Sequence, residues 1–141
     1  MSNSDPFNLQ RFVEAQGPVF EDVRSELRAG AKVSHWMWFI FPQIRGLGSS
    51  TISDRFALTS REEAKAYSNH PVLGQRLREC IRLALAVEGK SITEILGYID
   101  GKKFRSSMTL FAEVSPEDQI FQQALRKYFG GVPDFMTLHL L

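Results

Sequence analysis

The stretch Pro71-Val72-Leu73-Gly74-Gln75-Arg76-Leu77-Arg78-Glu79-Cys80-Ile81-Arg82-Leu83-Ala84-Leu85-Ala86-Val87-Glu88-Gly89 decides the fold. Leu73, Leu77, Cys80, Ile81, Ala84 and Leu85 recur at the i, i+4, i+7, i+8 spacing that lines one face of an α-helix. Pro71 suits an opening turn, where its missing N–H costs no hydrogen bond, and Gly89 lies just past the end. Outward from this helix the same punctuation repeats. Downstream, Ser91-Ile92-Thr93-Glu94 is a capping box, in which serine accepts from the third amide and glutamate reaches back. It opens a helix carrying Ile95, Leu96 and Ile99, closed by a turn at Asp100-Gly101. Lys103 to about Glu113 reads as helical. Ser115-Pro116-Glu117-Asp118 then caps a helix striped by Ile120, Phe121, Ala124, Leu125 and Tyr128 and ended by Gly130-Gly131. Pro133 to Leu141 reads as a docked turn of helix.

Upstream, Ser60-Arg61-Glu62-Glu63 is another capping box and predicts a short helix to about Ser68. Asp5-Pro6 reads as an N-cap pair before Leu9, Phe12, Val13 and Gln16, with Gly17-Pro18 as the stop. A second helix runs from Val19 to Ala29 along Val19, Phe20, Val23 and Leu27, with Gly30 at its C-terminal end. The apolar run Trp36 to Phe41 has no clear period and reads as a buried helix or turn ended by Pro42. Arg45 to Leu58 reads as an ordered loop, the longest in the chain, and loops of that length often carry function. Repeated caps, short connections and no alternating pattern give an all-α class: a compact single domain, residues 1–141, of six to eight short helices.

Composition agrees with that class and excludes others. A chain of 141 residues is the size of one ordinary domain. Its 17 basic and 16 acidic side chains leave a net charge of +1, so no bulk field draws it to nucleic acid, and any charge-driven function must be local. The single cysteine, Cys80, excludes an internal disulfide, fits a reducing cytoplasm and falls on the apolar stripe of the long helix. The longest wholly apolar run, Trp36 to Phe41, is far below the roughly 20 residues of a membrane span. Met1 to Pro6 lacks a basic start and an apolar stretch, so no export leader is expected.

Three stretches together carry a resemblance. They are Asp5-Pro6 with Arg11 to Gln16, Lys32-Val33-Ser34-His35-Trp36-Met37-Trp38-Phe39-Ile40-Phe41-Pro42-Gln43 running into Gly46-Leu47-Gly48, and Ser106-Ser107-Met108-Thr109-Leu110-Phe111. With His70 to Leu77, Gly97 to Lys103, Asp134 and Thr137, they resemble the bacterial family catalogued as domain of unknown function 1810 over nearly the whole chain. The resemblance implies a compact all-helical domain and implies no reaction.

Candidate chemistry concentrates in two places. His35 has the imidazole of an acid–base residue and stands beside Trp36 and Trp38, whose indoles would make a flat wall for a planar ligand; the alternative is that histidine and indoles belong to the core. Lys102, Lys103 and Arg105, followed by Ser106, Ser107 and Thr109, concentrate cations and hydroxyls with no acid among them. If a helix began near Ser106, its free amides would add to an anion pocket; otherwise the cluster is a capped helix with a solvated basic turn. Arg45 beside Gly46-Leu47-Gly48-Ser49-Ser50 would pair with an anion, although that turn lacks the pattern of a phosphate-binding loop. Asp54 and Asp100 are the loop carboxylates available as a base. The three histidines and one cysteine have no ligand spacing, so neither a metal nor another cofactor is expected.

Two functions follow as expectations. In the first, the domain binds a small anionic, nucleotide-like ligand through Trp36, Trp38, Arg45, Lys103, Arg105, Ser106, Ser107 and Thr109, and as a hydrolase it would use His35 or Asp100. In the second, it is a non-catalytic module for a protein partner of undetermined kind.

Overall fold

The computed structural model describes residues 4–48 and 50–141. Met1 to Asn3, half of the stretch read for a leader, and Ser49 of the glycine-rich turn lie outside the described residues.

The chain is all-helical. Among the described residues, six helices of seven residues or more carry the fold: α1 (Gln10–Gln16), α2 (Phe20–Ala29), α5 (Arg61–Asn69), α6 (Leu73–Ala86), α8 (Tyr98–Val114) and α9 (Ile120–Phe129). Four shorter ones fill the gaps: α3 (Met37–Ile40), α4 (Thr51–Phe56), α7 (Ile92–Leu96) and α10 (Phe135–Leu140). Among the described residues no helix is long and apolar enough to cross a membrane.

The long helix behaves as its stripe requires, with Leu73, Leu77, Cys80, Ile81 and Ala84 buried. Burial pushes the Cys80 thiol up to about 12, so it packs as a small hydrophobe and not as a thiolate. At the centre lies α8, which packs against α5, α7, α9 and α10. Its Phe104 meets Phe41 edge-on at 4.9 Å, and its Phe111 stacks on Phe121 at 5.6 Å. Behind α3, the Gln16 amide donates to the Phe39 carbonyl at 2.7 Å and to Tyr67 Oη at 2.9 Å, so the buried end of this four-residue helix is satisfied by side chains.

Several boundaries differ from expectation, each for a local reason. Asp5 does cap α1, but from a turn earlier: its carboxylate takes the amides of Leu9 and Gln10 at 2.8 and 3.0 Å, and Pro6 is not the first helical residue. Gly17-Pro18 does not stop the chain; it tightens into a 3-10 turn, Gly17–Val19, that feeds α2 directly. The expected loop from 45 to 58 contains α4, capped by Ser50. Ser60 caps α5 as read, whereas Glu63 turns to the Thr59 amide and hydroxyl, both at 2.8 Å, and to Arg11 at 3.0 Å. His70, not Pro71, opens α6, its Nδ1 accepting from the Val72 and Leu73 amides. Ser115 is buried against Ser68, leaving Asp118 to accept from the Ile120 amide at the start of α9. Asp100-Gly101 is no turn, because the break falls at Gly97, whose φ of 95° favours glycine, and α8 starts one residue later.

Candidate functional site

That last difference moves the expected anion pocket. Ser106 lies in the middle of α8, so its amide belongs to the helix ladder and offers nothing to a ligand. The cations before it nonetheless converge. Lys102, Lys103 and Arg105 line a cleft of about 350 Å³ with Gln43, Leu47, Gly48, Ile99, Ser106 and Asp134. One wall is the first half of α8, and the facing wall is the 43–48 segment. That segment is held by a parallel bridge, in which the Leu58 amide donates to the Gln43 carbonyl at 2.9 Å and the Arg45 amide donates to the Leu58 carbonyl at 2.8 Å.

The hydroxyls of α8 dock the tail. Ser106 Oγ donates to Asp134 Oδ2 at 3.0 Å, and the same carboxylate oxygen accepts the Thr137 amide at 3.1 Å and the Thr137 hydroxyl. Thr109 Oγ1 donates to the Arg105 carbonyl at 2.8 Å and accepts the Asp134 amide at 2.9 Å. Asp134 is therefore the N-cap of α10 and a clasp onto α8. Among the described residues it is the one carboxylate lining the cleft, and its Oδ2 is committed to these three donors.

Each cation rests against an aromatic ring. Lys102 Nζ lies 5.1 Å from the Tyr98 ring centroid, and Lys103 Nζ lies 5.0 Å from that of Trp38. Arg105 Nε donates to the Val132 carbonyl at 2.9 Å while its guanidinium sits 5.3 Å from the Phe129 ring. This holds Arg105 at the cleft, and its two terminal nitrogens make no hydrogen bond among the described residues. Asp100 reaches Lys103 at 3.7 Å but pairs more closely with Lys32, at 2.9 Å.

The remaining candidates fall elsewhere. Trp36 is fully buried and its indole N–H donates to Glu26 at 2.9 Å, so it presents no face to a ligand. Glu26 explains the whole Ser34-His35-Trp36 turn. Burial works against its charge, but hydrogen bonds from the Ser34 hydroxyl, the Ser34 and Val33 amides and the Trp36 indole outweigh it and hold the carboxyl down to about 2. His35 is exposed on the outside of that turn and does not line the cleft. Trp38 is half-buried beside a narrow crevice that shares Gln43 and Gly48 with the cleft, and so remains next to it. Arg45 is exposed and enters only through its backbone. Ser107 is buried with no hydrogen-bond partner among the described residues. Asp54 is exposed on α4, away from the cleft lining. Of the eight candidate ligand-binding residues, Lys103, Arg105 and Ser106 line the cleft and Trp38 adjoins it.

Gln43, Leu47, Gly48, Ile99 and Asp134 complete the lining; all five fall in the stretches that carry the family resemblance, but none was a candidate ligand-binding residue. A larger and more open depression of about 500 Å³ sets Arg61 and Lys65 against Glu62 and Glu113, so its lining carries no excess of either charge. Among the described residues no three His, Cys, Asp or Glu side chains gather as a metal site.

No curated protein matches the chain. The crystal structure of the conserved hypothetical protein Rv1873 from Mycobacterium tuberculosis is similar over 97% of this chain and 98% of that one, at 54% identity and a TM-score of 0.96. A family model matches residues 6–141, and the chain accordingly belongs to the family described as protein of unknown function DUF1810.

Proposed function

We propose that this domain binds a small anionic, nucleotide-like molecule in the cleft between α8 and the 43–48 segment. The observation that carries the reading is the convergence of Lys102, Lys103 and Arg105 on one concavity whose lining carboxylate, Asp134, is committed to capping. Three cations outnumber the one lining carboxylate, and Asp100 beside Lys103 is shared with Lys32, so the cleft keeps a local positive excess in a chain of net charge +1. Arg105, with two unbonded terminal nitrogens, suits a bidentate contact to phosphate or carboxylate. Gln43 adds an amide that can both donate and accept. Trp38 supports the planar part of the ligand, provided Lys103 swings from its ring to the anion.

The reading is binding and not hydrolysis. His35 and Asp100 lie outside the lining, and Asp134 makes a poor base while its oxygen accepts from Ser106 and Thr137. A cytoplasmic setting fits the buried, unpaired Cys80.

The test is thermal unfolding with AMP, ribose 5-phosphate and inorganic phosphate. A ligand at about 100 times its dissociation constant adds roughly 2.7 kcal/mol and raises the midpoint by several degrees. The rise is expected for the native chain and is expected to shrink in Lys102→Ala and Arg105→Ala, each compared with its own unliganded midpoint. A flat response to all three compounds, or an equal rise in the variants, contradicts the reading.

A further inference from the structure

The cleft is bordered by apolar side chains that a small anion would leave uncovered. Eight large hydrophobic residues are exposed among the described residues, and six of them, Tyr98, Ile99, Val132, Phe135, Met136 and Leu140, belong to the segments that frame the cleft. Ile99, 68% exposed, is part of the lining itself. Val132 is held there by the bond from Arg105 to its carbonyl, and Phe135 and Met136 directly follow the Asp134 clasp. Met136 and Leu140 share one face of α10 at i, i+4 spacing, and that face borders the 43–48 segment: the methyl groups of Leu140 lie 3.3 and 3.5 Å from where a side chain on Gly46 would start. Exposed large apolar side chains gathered around one cleft, rather than scattered singly, mark an interaction surface.

We infer that this face docks an acidic segment of a partner protein, with a carboxylate side chain in the cleft and flanking apolar side chains against Ile99 and the outer face of α10. The inference rests on the anion reading of the cleft and adds a second occupant: the cations that hold a free nucleotide-like anion also take a partner's carboxylate in its place. Charge decides among the occupants. A second copy paired across this face would set Lys102, Lys103 and Arg105 against the same three cations, which is repulsive. An anionic bilayer calls for four to eight cations on a convex surface or a long amphipathic helix, whereas here three cations line a concavity and α10 has six residues. A peptide carrying acids between apolar anchors complements both halves of the surface.

The experiment is selection of a random twelve-residue phage-displayed library on the immobilised full chain, followed by fluorescence-polarisation binding of the enriched peptides. Expected is enrichment of sequences with Asp or Glu flanked by Leu, Phe or Met, and affinity lowered about tenfold or more both by Lys102→Glu and by the exposed double variant Phe135→Ser/Met136→Ser. Loss with Lys102→Glu alone overturns the docking surface and leaves the anion reading standing. Loss with the serine variant alone overturns this inference, since the peptide then leaves the cations untouched, and the anion reading stands or falls by the thermal shifts with the small anions. Failure to enrich acidic sequences, or binding to phosphatidylserine vesicles in preference to every selected peptide, also overturns the inference. Unchanged thermal midpoints of the variants confirm that surface and not fold has been altered.

Discussion

Glu26 shows how one side chain can explain a motif that looks functional. Its carboxylate collects two backbone amides, a hydroxyl and an indole N–H, and thereby fixes the turn from Val33 to Trp36. The Ser-His-Trp sequence is legible as special, but its acceptor lies eight to ten positions earlier on the flank of α2, where a lone glutamate gives no signal. The sign of the pH dependence follows. A carboxyl held at about 2 when folded and near 4.5 when unfolded adds stability that is fully present above about pH 5 and is lost as pH falls toward 2. That shift corresponds to about 3 kcal/mol. Glu26→Gln is expected to remove most of it, flattening the acid limb of a stability curve followed by near-ultraviolet circular dichroism. An acid limb of unchanged slope would show that the clamp does not hold the turn. Ser107 is the opposite case, a buried hydroxyl with no partner among the described residues. Ser107→Ala should leave anion binding unchanged and raise stability by up to about 1 kcal/mol, read from the urea midpoint; a drop would mean that the hydroxyl has a role in the native state.

At the scale of elements, interiors of helices were more legible than their ends. The stripes of α2, α6 and α9 follow from apolar spacing alone, because burial of one face dominates local preference. Ends depend on which polar group reaches a free amide first, and that is a tertiary matter. His70 Nδ1 displaced Pro71 as the start of α6, and Asp118 displaced Ser115 at α9. Asp100 has the residue type of a turn, yet it lies in the first turn of α8, where an acid complements the helix dipole, and reaches Lys32. The junction of α5 and α6 gives a sharp test. A side chain at Gly74 would begin 2.2 Å from the Ser68 carbonyl oxygen, which is backbone and cannot turn away. Gly74→Ala gains about 1 kcal/mol in helix propensity but forces a shift costing about 3 kcal/mol, so a net loss of about 2 kcal/mol is expected. A denaturation midpoint equal to or above that of the native chain would place α5 and α6 further apart than described here.

For the whole molecule, the site is a product of docking more than of any one motif. The concentration of cations at Lys102 to Arg105 is visible as residue types, and so was the chance of an anion pocket. Its other wall was legible only in part: the turn at Gly46-Leu47-Gly48 stood out beside Arg45, whereas Gln43 reaches the cleft only through the bridge to Leu58, and Asp134 only through its clasp on Ser106 and Thr109. Trp36 and Arg45 stand outside the cleft lining for the same reason: neighbours far away in sequence decide which side of the chain faces in. Because the proposed binding is electrostatic, it should weaken as salt rises, since the Debye length falls from about 30 Å at 0.01 M to about 8 Å at 0.15 M. Calorimetric titration of AMP at the two salt concentrations checks this, and affinity independent of salt would argue against cation-held ligand. The most direct measurement is a 15N–1H correlation spectrum of the full chain titrated with AMP. Saturable shifts are predicted at Gln43, Gly48, Lys102, Lys103, Arg105 and Ser106 and at the Trp38 indole, with the Trp36 indole unmoved. No saturable shift, or shifts gathered at Arg61, Lys65 and Glu113 instead, would contradict an anion site in the α8 cleft.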